Sequence, residues 1–182
     1  MPRFLRLKSP GDTFFFTVVT FKRRRFLTDP RSRVILREVI SEVRQKYPFT
    51  IDAWVLLPDH IHTIWTLPEM DTDFSKRWGL IKRGFSNKAR NFLHHDFIMT
   101  DSKEHHRECT IWQRRFWEHQ ISGDVDLHRH LDYIHYNPVK HGLVANVADW
   151  PYSTFHRYVE QGLYPLNWGE NITFDHDNNF GE

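Results

Sequence analysis

The chain has 182 residues, 15% of them aromatic, and a formal net charge of +2. That length suits one domain with a sizeable core, the aromatic content excludes a disordered chain, and the near balance of charge means that any nucleic-acid surface must come from local clustering. The single cysteine, Cys109, excludes an intrachain disulfide and a cysteine-rich zinc finger. With no apolar run of membrane-spanning length and no apolar signal core in Met1–Ser9, the protein is expected to be cytoplasmic and soluble.

Met1–Pro10 alternates basic and apolar residues, and Gly11–Asp12 reads as a turn. Thr13–Phe21 (TFFFTVVTF) is aromatic and β-branched throughout, which predicts a strand. It runs into Lys22, Arg23, Arg24 and Arg25, four adjacent cations at a strand end. Such a run is commonly a solvated loop; its other use is a phosphate clamp. Asp29 as N-cap and Pro30 at the first helical position open a helix that continues to about Tyr47. Ile35, Val39 and Val43 supply its apolar stripe, and Pro48 ends it.

Thr50–Leu57 and His60–Leu67 read as strands interrupted by Pro58–Asp59. Pro58 cannot donate to a ladder, so a bend or tight connection is expected there, with the following residues near a sheet edge or mouth. Phe74–Phe92 is a second helix carrying Lys76, Arg77, Lys82, Arg83, Lys88 and Arg90 among Trp78, Phe85 and Phe92. A charged outer face is the ordinary reading; the scarcity of acids favours a face that tracks a nucleic-acid backbone. His94–Thr110 contains four histidines and Cys109 but fits no standard zinc spacing, and reads as a loop. Ile111–Ile121 (IWQRRFWEHQI), with Arg114 and Arg115, reads as an extended segment returning to the sheet. Val125–Asn137 is a helix ended by Pro138, with Lys140–His141–Gly142 as a stop, and Asp149–Trp150–Pro151 opens a short helix through about Val159. Beyond Trp168 the chain turns acidic and Asn-rich. The expectation is one domain over residues 1–168 and a flexible acidic tail over 169–182.

Chemistry concentrates at His60–Ile61–His62. Residues two apart on a strand share a face, so both imidazoles can serve one cation while Ile61 anchors the opposite face. Two ligands do not make a site. On Val125–Asn137 the residues Leu127, Leu131 and Ile134 form an apolar stripe, and Asp126, His130, Tyr133 and Asn137 form a second, polar one. Tyr133 and Asn137 are one turn apart. A tyrosine hydroxyl, with a pKa near 10, is a weak nucleophile unless a cation helps it. A divalent metal on a phosphate supplies that help, and an asparagine carbonyl can join two imidazoles around it. His60, His62 and Asn137 would suit Mg2+ or Mn2+ better than structural zinc. A lone His-x-His among 13 histidines is more often structural, and Tyr136 is a rival nucleophile lacking an asparagine one turn later. Only the joint occurrence carries weight.

PDHIH (Pro58–His62), WQRRFWEH (Trp112–His119), YIHYNPVKHGLV (Tyr133–Val144) and DWPYSTF (Asp149–Phe155), in that order, resemble the REP-associated tyrosine transposases, a group of single-tyrosine HUH transposases. The resemblance runs from about Thr13 to Trp168. It implies an α+β, ferredoxin-like fold: an antiparallel sheet carrying the histidine pair, with helices packed on one face. It implies cleavage and rejoining of single-stranded DNA at hairpin-forming palindromic repeats, without ATP. Tyr133 would be the nucleophile, forming a 5′-phosphotyrosine and freeing a 3′-OH, and His60, His62 and Asn137 would hold the metal. By charge and position, Lys22–Arg25, Lys82, Arg83, Arg114 and Arg115 are the candidate DNA contacts. A binder that recognises repeat hairpins without cutting, or a metal-dependent nuclease using water, are the competing readings; neither needs Tyr, His, His and Asn together. Oligomeric state, and whether Tyr133 serves its own subunit, stay open.

Overall fold

The computed structural model describes residues 12–93, 111–170 and 180. The expectations for Met1–Pro10, for His94–Thr110 and for most of the tail lie outside these residues.

Strand β1 (Thr13–Val19), helix α1 (Pro30–Lys46), strands β2 (Thr50–Leu56) and β3 (His60–Thr66), helix α2 (Phe74–Leu93) and strand β4 (Trp117–Gln120) follow one another in a βαββαβ order. The four strands pair antiparallel in the order β2-β3-β1-β4. This is the ferredoxin-like arrangement that the family motifs imply. Helices α3 (Asp124–Lys140) and α4 (Phe155–Glu160) complete the chain.

β1 is buried at every position because both of its faces are covered. Phe14, Phe16 and Val18 face a core shared with Leu36, Val39 and Val43 of α1 and Trp78, Ile81 and Phe85 of α2. Phe15 faces the other way, into a core with Leu127, Leu131, Tyr133 and Ile134 of α3. The expected packing of helices on one face describes α1 and α2; α3 covers the opposite face. Where α1 and α2 meet, a Cβ on Gly84 would lie 2.8 Å from Cγ1 of Val39, so only glycine allows this approach.

Pro58 does make a tight connection. The Leu57 amide bonds the His60 carbonyl at 2.9 Å, turning β2 into β3. The histidine pair therefore begins a central strand, at the sheet end beside this turn. Pro138, expected to end its helix, lies inside α3. The stop comes at Gly142, whose φ is +64°. There the Gly142 amide bonds the Val139 carbonyl and the Leu143 amide bonds that of Pro138, a Schellman closure. The predicted extended segment Ile111–Ile121 contains only the short strand β4, plus an isolated bridge from Trp112 to Thr20.

Candidate active site

The β3 alternation aims His60 and His62 at α3, and both are buried, with ring centroids 4.8 Å apart. Their tautomers follow from their partners. His60 Nδ1 donates to Asp59 Oδ1 at 2.7 Å, since an ionised carboxylate only accepts. Thr17 lies opposite His62 on β1, and its Oγ1 is 2.8 Å from His62 Nδ1. The Thr17 hydroxyl spends its proton on the Phe180 carbonyl at 2.6 Å, so it accepts from His62. Both Nε2 atoms consequently carry the lone pair, the form a metal requires. Burial pushes the Asp59 carboxyl up, but the hydrogen bonds from His60 and Arg23 and the charge of Arg23 outweigh this and hold it below its ordinary value. It stays a carboxylate, and it links Arg23 Nη1 at 3.2 Å to the His60 ring.

Helix α3 brings its polar stripe to the same place. The Tyr133 ring stands 5.2 Å from that of His62, and the His141 ring 5.1 Å from that of His60. Asn137 is midway between Tyr133 and His141 on that helix face and is fully buried. Lys140 Nζ donates to Tyr133 Oη at 3.2 Å and lies 4.8 Å from the centre of its ring. Phe180, the one described residue near the chain end, packs 4.3 Å from the Tyr133 ring. Tyr136 points elsewhere, toward Gly169.

Two imidazole nitrogens with fixed tautomers and a buried amide on the facing helix form a donor set suited to a divalent cation. A His/Asp cluster capable of binding a divalent metal also lies at the start of α3. Its members are His119 of β4 with Asp126 and His130 of α3, whose ligand atoms fall within 4.8 Å of one another. Asp126 Oδ2 accepts from His119 Nε2 at 2.8 Å and from the Ser122 amide at 2.9 Å. Burial raises the Asp126 carboxyl, but these bonds and the neighbouring histidines bring it below its ordinary value. Burial pushes His130 down, toward its neutral form. Phe15 separates the two groups, its ring 5.6 Å from that of His62 and 4.7 Å from that of His130.

The cations picked from sequence have different fates. Lys22, Arg23 and Arg25 are exposed at the end of β1, and Arg24 is half-buried; Lys22 and Arg23 adopt left-handed φ values of 54° and 52°. Arg83, Arg114 and Arg115 are exposed. Lys82 instead turns inward, donating to the Gln113 carbonyl at 2.9 Å, and burial lowers its pKa to about 8. Two further cations of the basic helix are also engaged internally. Arg77 is buried against Asp71 and the Pro48 carbonyl, and Lys88 pairs with Glu38 and Glu42 of α1.

Sequence reasoning missed Asp59, Thr17, Lys140 and His141 as parts of the site. His141 was open to discovery, since it continues the Tyr133–Asn137 spacing by another turn. Asp59 adjoins His60 in the chain. Thr17 had no signal, because its role comes from β1–β3 register alone.

Comparison with known proteins agrees with this geometry. The family described as "Transposase IS200 like" matches residues 14–137. The chain is 45% identical to the REP-associated tyrosine transposase of Escherichia coli (strain K12), over 95% of this chain and 94% of that protein. It is 42% identical to a putative REP-associated tyrosine transposase of Haemophilus influenzae, over 94% of this chain and 95% of the other. A solved structure of a REP-associated tyrosine transposase bound to a REP hairpin superposes with a TM-score of 0.76 at 44% identity, covering 100% of this chain and 98% of that one.

Proposed function

The chain belongs to the IS200-like REP-associated tyrosine transposases, and from that premise we propose that Tyr133 cleaves single-stranded DNA beside a palindromic-repeat hairpin. The observation that carries this reading is the edge-on placement of Tyr133 against His62, with Nδ1 of the two histidines engaged by Thr17 and Asp59. Tyr133 Oη attacks the scissile phosphorus, and the P–O3′ bond breaks. The phenol proton passes to solvent, and the departing O3′ takes one up as a free 3′-OH. The 5′-phosphotyrosine so formed conserves the bond energy, and attack by a 3′-OH reverses the step, with the phenolate of Tyr133 leaving. Lys140 donates to that oxygen in both directions. His60, His62 and Asn137 would hold Mg2+ or Mn2+, whose chemistry is to neutralise charge on the phosphate. Asp59 and Thr17 keep the imidazoles in the required tautomer.

The test is a denaturing gel of the protein with a labelled single-stranded repeat hairpin and either metal. A protein–DNA adduct is expected, and Tyr133→Phe should remove it while hairpin binding persists. A free 5′-phosphate without adduct would establish hydrolysis by water instead. DNA that is bound but uncut with both metals would establish a non-catalytic binder.

A further inference from the structure

The two faces of α1 differ in charge. Its acids Glu38 and Glu42 turn toward α2 and pair with Lys88. Its arginines Arg33, Arg37 and Arg44, at spacings that place them along one side, line a groove of about 730 Å3 between α1, β2 and residues 151–154. Among the described residues, no carboxylate lines this groove. Its floor is apolar, with Leu36 and Ile40 of α1, and half-buried Trp54 stands in its wall.

The groove also has a direction. Arg44 Nε bonds the Phe49 carbonyl just before β2. At the other end Arg33 lies 4.5 Å over the Tyr152 ring, and the Tyr152 carbonyl accepts from the Leu56 amide at the last residue of β2. The groove therefore runs along edge strand β2 and finishes beside the Pro58 turn that leads into His60. It lies on the α1 side of the sheet, on the face opposite to Tyr133.

We propose that this groove is a second DNA-contact site that holds a single unpaired strand flanking the hairpin. Eleven helical steps lead from Arg33 to Arg44, about 16 Å, which spans several phosphates of one strand. Guanidiniums along one wall suit the phosphates, and an apolar floor with an indole beside it suits unpaired bases. Duplex DNA would offer only backbone to that floor, so the chemistry selects a single strand. The premise is DNA as substrate; the groove shares no residue with the proposed cleavage site.

The test compares full-length protein with Arg37→Gln/Arg44→Gln, both at exposed positions. Binding is read by fluorescence anisotropy over a salt series. The probes are a repeat hairpin with a single-stranded flank of about 8 nucleotides and the same hairpin without it. The double variant should bind the flanked hairpin roughly tenfold more weakly, with a log–log salt slope shallower by about 1.4, or about 0.7 per lost phosphate contact. Affinity for the bare hairpin, and adduct formation on saturating flanked hairpin, should stay at the wild-type level. Arg37→Lys, which keeps the charge, should keep the wild-type slope. Unchanged affinity for the flanked hairpin would overturn the proposal. An equal loss on both probes would overturn it in favour of duplex contact.

Discussion

The aromatic edge of Tyr133 meets His62 of its own chain, with ring centroids 5.2 Å apart and planes at 70°. One folded subunit thus brings together the hydroxyl and the histidine pair. Mixing Tyr133→Phe with His62→Ala should therefore not restore adduct formation, because neither chain holds a whole site. Recovery of adduct formation in the mixture would show that the tyrosine serves a partner's histidines.

Removing the groups that orient the imidazoles should weaken metal binding without removing a ligand. Thr17→Val takes away the acceptor of His62 Nδ1, and Asp59→Asn weakens the acceptor of His60 Nδ1. Each is expected to lower Mn2+ affinity about 10- to 100-fold, the usual effect of losing an outer hydrogen bond to a metal-binding histidine. Titration calorimetry with Mn2+ measures this directly. Wild-type affinity in both variants would mean that the two imidazoles do not hold the ion through Nε2.

Lys140 is exposed enough to replace without disturbing the core, and its ammonium touches Tyr133 Oη. Lys140→Met should slow adduct formation by about 10- to 100-fold, as expected for one charge-assisted hydrogen bond. Hairpin affinity should change little. Lys140→Arg should recover part of the rate. Equal rates for wild type and the methionine variant, in single-turnover cleavage, would limit Lys140 to a structural contact.

Lys82 carries its charge into a half-buried place. Burial lowers its folded pKa from 10.5 to about 8. Below pH 8 both folded and unfolded chains are protonated there, so the cost of burying the charge is present in full. Between that value and the unfolded one the unfolded chain holds more protons, and stability from this group rises with pH. Lys82→Met should accordingly raise unfolding free energy at pH 7 by about 1 kcal/mol, after allowance for the lost bond to Gln113. Urea titrations should show this advantage shrinking toward pH 10. A less stable variant at neutral pH would mean that the bonds to Gln113 and Arg114 outweigh the desolvation.

Much of the site can be read without coordinates because it depends on local periodicity. The strand repeat places His60 and His62 on one side, and the helix repeat places Tyr133 and Asn137 on one side. The alternation of Phe14, Phe15 and Phe16 likewise foretells a strand buried on both faces. The halt at Gly142 is legible too, since a left-handed residue there closes the helix. Pro138 misled, because a missing amide is a local cost that the buried packing of α3 overrides.

Tertiary structure alone decided which side of the sheet α3 covers, and hence that the tyrosine meets the histidines within one chain. It likewise decided which cations remain outside. Arg77, Lys82 and Arg83 look alike along the chain, yet the first is consumed by Asp71, the second by a backbone carbonyl, and the third faces solvent. The partners that settle this are Asp71, Gln113, Glu38 and Glu42, and most are distant in sequence from the cations they hold. Periodicity determines which face of its own element a side chain occupies; the packing of other elements against that face determines what the side chain meets.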